Sequence, residues 1–149
     1  GGTVKKSTNG AHIGIAKDIK INENGESHPL YKSKKKKFNS PAFNFDEVVT
    51  LPEKTIHLAS NKINKIQSIN FKSGVSDVWG LQSHPEITYH KMITLINFRK
   101  DRLINDRKCF KNELEIKKHI EFIEQEIKKS EKNSRMLELK NWLNHLVAA

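Results

Sequence analysis

The sequence predicts an α/β chain in which strands come first and helices follow. Between residues 1 and 87, short stretches of alternating apolar and polar residues are separated by turn residues, which is typical of an antiparallel or mixed sheet rather than of βαβ units. From residue 88 to residue 149, apolar residues recur at helical spacing. The first 87 residues offer no helix to cover a sheet, so this order of elements does not close a balanced domain.

The strand segments of the first half are marked by their period of two. Ile13, Ile15, Ile19 and Ile21 recur at even spacing, as in a half-buried strand. Residues 22–25 predict a turn, in which Gly25 is able to take a positive φ. Further strands are predicted at 48–49, 56–59, 67–71 and 78–83.

Three helices are predicted in the second half. The first covers 89–104, the second about 112–129 and the third about 134–147. The second is the clearest, because four isoleucines repeat at intervals near 3.6 residues between many Lys and Glu residues: Ile116, Ile120, Ile123 and Ile127. We expect these helices to face a core rather than to form a coiled coil, since each spans only a few turns.

Composition narrows the class of protein. The chain of 149 residues has the size of one domain, and no apolar run approaches the roughly 20 residues that cross a bilayer. We therefore expect no membrane contact. The opening residues lack the apolar region of a secretory signal, and Cys109 has no second cysteine to pair with, which suits a reducing compartment. We expect a cytoplasmic protein.

The net charge of +10 suggests an anionic partner, and the run at 34–37 is four consecutive lysines. The positive charge is nearly all Lys, however, and Ile and Asn are abundant too, a combination typical of coding bias. Sequence-specific readers of nucleic acid use Arg forks and interleaved aromatic residues, and neither accompanies this run. We expect an exposed loop and no nucleic-acid partner. A non-catalytic basic module that binds an anionic polymer stays as an alternative.

A histidine and a glutamate follow the last predicted strand, in the sequence Gly-Leu-Gln-Ser-His-Pro-Glu. Pro85 keeps His84 out of helical geometry, so the segment is extended and His84 and Glu86 project to one face. A carboxylate beside an imidazole holds its tautomer and raises its basicity, as in a general base that activates a nucleophile. The plainer interpretation is a surface histidine and glutamate at a strand end.

This segment resembles the C-terminal catalytic motif of class I glutamine amidotransferases, whose usual form is Gly-Val-Gln-Phe-His-Pro-Glu. The resemblance implies a three-layer, flavodoxin-like α/β sandwich and a Cys-His-Glu triad that hydrolyses the side-chain amide of glutamine. It makes His84 the base and Glu86 the residue that orients it. Weaker similarities to the branch related to the GMP synthase glutaminase domain lie at residues 1–4, 45–48, 51–53, 58–60, 97–103 and 141–143.

The resemblance also implies that the nucleophile is not among these residues. The family's Gly-x-Cys-x-Gly-x-Gln elbow, with its oxyanion-hole donors, would precede Gly1. The chain would then be the C-terminal half of the domain, strand-rich over 1–87 and helical over 88–149, and inactive alone. Cys109 has no Gly-rich turn to expose it, so we expect a structural cysteine. Asn44 departs from the family, which commonly has His there, and this puts acceptor-domain contacts or substrate fit in doubt.

The expected substrate is glutamine or another γ-glutamyl compound. Release of ammonia to a synthetase or acceptor domain is one outcome, and hydrolysis of a γ-glutamyl peptide or amine on the same fold is the alternative. No cofactor is expected. No metal is expected either, because no Cys or carboxylate cluster completes a zinc set with His84 and His90.

Overall fold

The strands lie in three antiparallel groups. The computed structural model of the chain describes residues 1–130 and 132–148. A five-stranded sheet has the order β4-β3-β7-β8-β9, and two ribbons pair β1 with β6 and β2 with β5. The strands are β1 (Thr3–Lys6), β2 (His12–Ile13), β3 (Ala16–Ile21), β4 (Lys37–Ser40), β5 (Phe43–Asn44), β6 (Asp46–Thr50), β7 (Ile56–Ser60), β8 (Ser68–Ser73) and β9 (Ser76–Leu81). The predicted antiparallel character of this half is confirmed.

The helices follow the last strand, apart from one short helix between β3 and β4. They are α1 (Glu23–Ser27), α2 (Tyr89–Phe98), α3 (Glu113–Lys129), α4 (Lys132–Arg135) and α5 (Leu137–Ala148). A 3₁₀ turn covers Pro29–Tyr31 and a π-helical turn covers Arg102–Asp106. The prediction for α3 is confirmed almost to the residue. The helix begins after Asn112 because the side chain of Asn112 caps its N-terminus by accepting from the amide of Glu115. None of the described helices is long and apolar enough to cross a bilayer.

Two hydrophobic clusters form the core. The sheet cluster joins β3 and β7 to the 3₁₀ turn, and its buried members are Ala16, Ile19, Ile21, Leu30, Tyr31, Ala42, Leu58 and Ala59. The helical cluster joins the β2–β5 ribbon to α2 and α3, and its buried members are Ile13, Ile15, Tyr89, Ile96, Leu103, Ile116 and Ile123. The helix α3 therefore buries the apolar face that its spacing predicts. The expectation that the third helix faces a core is wrong for part of α5, since Leu143 and Leu146 are each 54% exposed.

The period of the isoleucine run predicted a single strand, and this prediction is wrong. Gly14, at φ +81°, interrupts it between β2 and β3. A side chain at this position would lie 2.8 Å from Cδ1 of Ile96 and 2.9 Å from Cδ1 of Ile123. The break lets Ile13 and Ile15 enter the helical cluster while the later isoleucines of the run enter the sheet cluster.

The turn predicted at 22–25 is wrong, because these residues begin α1. Asn22 caps this helix and accepts from the amide of Gly25 at 2.9 Å. Gly25 is helical, and its lack of a side chain serves close packing instead of a positive φ. A Cβ there would stand 2.2 Å from the carbonyl oxygen of Leu58. The local residue preferences favour a turn here, but these residues form a helix that packs against β7.

The lysine run is only in part the exposed loop that we predicted. The side chain of Lys34 is 2% exposed and pairs with Glu138 of α5 at 2.8 Å. Lys37 already belongs to β4, and it pairs with Asp18 while Lys36 pairs with Glu26. Acidic neighbours therefore offset much of the positive charge of the run. This weakens the case for a binding surface for anionic polymers.

Candidate active site

Strand β9 delivers the His-Pro-Glu segment at the edge of the five-stranded sheet. It pairs with β8 along its full length, from Ser73 opposite Ser76 to Ser68 opposite Leu81. Beyond β9 the amide of Gln82 still donates to the carbonyl of Gln67 at 2.8 Å. The chain then leaves the sheet, so the histidine follows a strand whose position is set by hydrogen bonds on one side.

A tight turn holds the segment itself. The backbone amide of His84 donates to the carbonyl of Pro41 at 2.7 Å, and the amide of Ile87 donates back to the carbonyl of His84 at 3.0 Å. Thr88 then caps α2 by accepting from the amide of Lys91 at 3.3 Å. The turn is thus anchored at its start by the β4–β5 connection and at its end by a helix cap.

The two side chains of the segment meet as the sequence predicts. Nδ1 of His84 lies 2.7 Å from Oε1 of Glu86, and the side chains are 45% and 50% exposed. An ionised Glu86 accepts only, so the contact requires the hydrogen of a neutral imidazole to sit on Nδ1. Nε2 is then the nitrogen able to accept a proton. The pair has the geometry of a base and the carboxylate that orients it.

Asn44 lies close to this turn. Nδ2 of Asn44 donates to Oε1 of Gln82 at 3.0 Å and also approaches the Gln82 carbonyl at 3.4 Å. Oδ1 of Asn44 is buried and has no partner among the described residues. Asn44 therefore supports the backbone two residues before His84, and any group that approached Oδ1 would have to donate a hydrogen.

A buried polar network, which the sequence did not suggest, contacts the end of β9 just before the His-Pro-Glu segment. Nε2 of Gln67 donates to Nε2 of His12 at 2.9 Å and to Oδ1 of Asn61 at 3.0 Å. Burial lowers the pKa of His12 to about 4, so its imidazole is neutral and accepts this bond. Because the Gln67 carbonyl also receives the Gln82 amide, the network positions the end of β9. Scattered histidines and amides carry no sequence signal for such a network.

Arg135 is a second residue that the sequence did not single out. It is the last residue of α4, and its Nη1 donates both to the carbonyl of Pro85 and, at 3.2 Å, to the carbonyl of Ile87. These two carbonyls flank Glu86. A positively charged group from the C-terminal helices is thus bound to the His-Pro-Glu turn.

Cys109 packs among the apolar residues around the helical cluster. It is half-buried against the helical cluster, and its thiol donates to the carbonyl of Arg107 at 3.7 Å. Burial raises the pKa of the Cys109 thiol, although the charge of Arg107 opposes this. These are not the surroundings of an activated nucleophile. Within residues 1–130 and 132–148, no group of three His, Cys, Asp or Glu could hold a metal ion.

The chain has the fold of the class I glutamine amidotransferases. A glutamine amidotransferase from Thermotoga maritima matches 100% of the chain and 56% of its own length, with a TM-score of 0.64 and 18% identity. The crystal structure of SMU.1228c matches 99% of the chain and 56% of its own length, with a TM-score of 0.67 and 19% identity. The predicted fold class is confirmed.

A more specific similarity is to a γ-glutamyl-L-1-hydroxyisopropylamide hydrolase from a Pseudomonas species. The two sequences are 30% identical over 153 residues, which cover 89% of the chain and 50% of the relative. No family model matches the chain. The chain spans about half the length of the curated relative that it resembles.

Proposed function

We propose that this chain is part of an enzyme that hydrolyses γ-glutamyl amides through a thioester on a cysteine outside these 149 residues. The observation that carries the proposal is the contact of 2.7 Å between Nδ1 of His84 and Oε1 of Glu86 at the end of β9. The amidotransferase fold and the similarity to a γ-glutamyl amide hydrolase support it. A single cysteine, half-buried and structural, supports a cytoplasmic location as part of the same proposal.

In the first half of the reaction, His84 activates the nucleophile and then the leaving group. Nε2 of His84 accepts the thiol proton, and the thiolate attacks the γ-carbonyl carbon of the substrate. As the C–N bond breaks, the imidazolium donates this proton to the departing amine, which leaves a γ-glutamyl thioester. Glu86 stabilises the imidazolium through its bond to Nδ1.

The second half returns the enzyme to its starting state. His84 accepts a proton from water, the hydroxide attacks the thioester carbonyl, and the C–S bond breaks to release glutamate. The proton returns to the thiolate. Every proton therefore passes through Nε2 of one residue, and no cofactor takes part in these steps.

The leaving amine distinguishes two versions of this function. With glutamine the amine is ammonia, and delivery of that ammonia would imply a synthetase or acceptor domain as partner. With a γ-glutamyl alkylamide the amine is free to diffuse away and no partner is needed. The similarity to the Pseudomonas γ-glutamyl-L-1-hydroxyisopropylamide hydrolase favours an alkylamide substrate. The similarity to the Thermotoga maritima glutamine amidotransferase favours glutamine.

The test uses the natural polypeptide that contains this sequence. A diazo ketone that mimics glutamine is added, the protein is digested, and the adduct is located by mass spectrometry. We expect the adduct on a cysteine other than Cys109. An adduct on Cys109, or a fully active protein with no other cysteine, would contradict the mechanism.

A substrate panel separates the two versions. Glutamine and γ-glutamyl ethylamide and isopropylamide share the acyl group and differ only in the amine, while the α-glutamyl amides serve as controls. Preference for glutamine supports ammonia release, and preference for the alkylamides supports amine hydrolysis. Failure to cleave any γ-glutamyl amide would exclude both.

A further inference from the structure

We propose that Arg135 is a positioning residue for the His84–Glu86 pair, because its guanidinium bridges the two backbone carbonyls that flank Glu86. The inference rests on the proposed function of this turn. Arg135 does not touch the reacting atoms in the mechanism above, so it would act through Glu86. It follows this turn by some 50 residues, on the segment that leads into α5.

The two hydrogen bonds of Arg135 hold the backbone around Glu86, whose side chain is not held by packing. The side chain of Glu86 is half exposed, so few contacts of its own hold it in place. Its direction instead follows from the path of the backbone through the turn. The Pro85 carbonyl belongs to the peptide group that precedes Glu86, and the Ile87 carbonyl to the second peptide group after it. Nη1 of Arg135 donates to both carbonyls. Holding them on the side of α4 directs the carboxylate towards His84.

Hydrogen bonds and an ion pair fix the segment that carries Arg135 on the rest of the fold. Nζ of Lys34 donates to the carbonyl of Ser134 at 2.7 Å and to Oε2 of Glu138 at 2.8 Å, and the charged ends of both partners are buried. Asn141 adds bonds of 2.9 Å from α5 to the carbonyls of Leu30 and Lys32. These contacts dock the C-terminal segment on the lysine run, which gives Arg135 a fixed base.

The chemistry of the guanidinium suits this role. It is planar, carries several N–H donors in fixed directions and stays charged, so one nitrogen can serve two carbonyls. A lysine ammonium is a compact and mobile point charge, which would be held less firmly. Displacement of a catalytic group by about 1 Å can cost 10²-fold in rate. Substituting Arg135 should therefore lower kcat and leave KM nearly unchanged.

The decisive experiment reads His84 directly by NMR, in the natural polypeptide labelled with ¹⁵N-histidine. In alkaline buffer, where the imidazole is neutral, we expect the wild type to hold the hydrogen on Nδ1. Arg135→Gln and Arg135→Met should shift His84 towards the Nε2–H tautomer that free histidine prefers, and Arg135→Lys should lie between them. Arg102→Gln is the matched control, because it makes the same substitution at an exposed arginine of the π-helical turn.

Kinetics supply the second readout. We expect kcat to fall about 10- to 100-fold in Arg135→Gln with KM within about twofold, and Arg135→Lys to recover part of the loss. Arg102→Gln should retain the wild-type kcat. A wild-type tautomer in both Arg135→Gln and Arg135→Met would overturn the inference, and so would an unchanged kcat. If the wild type cleaves no γ-glutamyl amide, the proposed function fails, and the tautomer measurement still decides the role of Arg135.

Discussion

Nζ of Lys34 lies 2.8 Å from Oε2 of Glu138, in an ion pair that joins the lysine run to α5 across 104 residues of sequence. The exposed fractions of the two side chains are 2% and 0%. Burial lowers the pKa of Lys34 and raises the pKa of Glu138, and in each case the partner's charge acts in the opposite direction. Each group thus needs the other to stay charged inside the protein.

Removing one partner should therefore be much more harmful than removing both. We expect Lys34→Met to lower the free energy of unfolding by about 3 kcal/mol at neutral pH, because it leaves a buried carboxylate without a counter-charge. Lys34→Met combined with Glu138→Leu should lie close to the wild type. Urea denaturation of the wild type, both single variants and the double variant measures the coupling.

The same substitution has a defined pH dependence. Without Lys34 the main influence that opposes burial is lost, so the pKa of Glu138 rises further. A protonated Glu138 needs no counter-charge. The stability gap between Lys34→Met and the wild type should therefore narrow as the pH is lowered, and a gap that widened would contradict this account.

His12 should destabilise the protein in mild acid. Its pKa is about 4 in the folded state against 6.5 in the unfolded state, so between these values the unfolded chain binds the extra proton. The free energy of unfolding should fall as the pH drops from 6.5 to 4, by roughly 3 kcal/mol from this residue. His12→Gln is the matched variant, because its amide oxygen can replace Nε2 as the acceptor for Gln67. Equal pH profiles of the two proteins would refute the prediction.

The proposed catalytic pair predicts graded losses of activity. His84→Ala removes the only proton carrier of the mechanism, and the rate of γ-glutamyl amide hydrolysis should fall about 10²- to 10⁴-fold. Glu86→Gln keeps a hydrogen-bonding group and removes the charge that stabilises the imidazolium, so its loss should be smaller. His90→Ala, an exposed histidine on the first turn of α2, is the control and should retain full activity. Near-normal turnover in His84→Ala would exclude the mechanism.

Two glycines should respond very differently to alanine. At Gly25 the added carbon would meet the backbone oxygen of Leu58 at 2.2 Å, and that oxygen belongs to a central strand. We expect a loss of roughly 3 kcal/mol, at the upper end for overpacking. At Gly74, φ is +59° with open space around the site, so only about 1 kcal/mol of backbone strain is expected. Thermal denaturation of both variants compares them, and a milder effect at Gly25 would be inconsistent with the packing of α1 on β7.

Local signals in the sequence were sufficient for most of the elements. The period of the isoleucines and the capping residue Asn112 located α3, and alternation located β7, β8 and β9. The juxtaposition of His84 and Glu86 was also predictable, because two residues of one extended segment face the same way. These features depend on residues that are close in sequence.

The errors occurred where distant parts of the chain meet. The helix α1 replaces a turn because Gly25 packs on β7, and Lys34 is buried because α5 brings Glu138 to it. Ser68 and Asn70 occupy the more buried face of β8, since Tyr31 and Asp77 supply their hydrogen-bond partners. Polar side chains usually favour exposure, and at Lys34, Ser68 and Asn70 a specific hydrogen-bond or ion-pair partner allows burial instead.

The sequence by itself determined the antiparallel strands, the three C-terminal helical segments and the histidine–glutamate pair, because each follows from backbone geometry over a few residues. Only the tertiary structure decided which polar groups are buried and what holds the His-Pro-Glu turn. Arg135 and Pro41 reach that turn from elements far away in sequence. The energy of such contacts depends on the position of the partner in space, and no pattern of neighbouring residues encodes it.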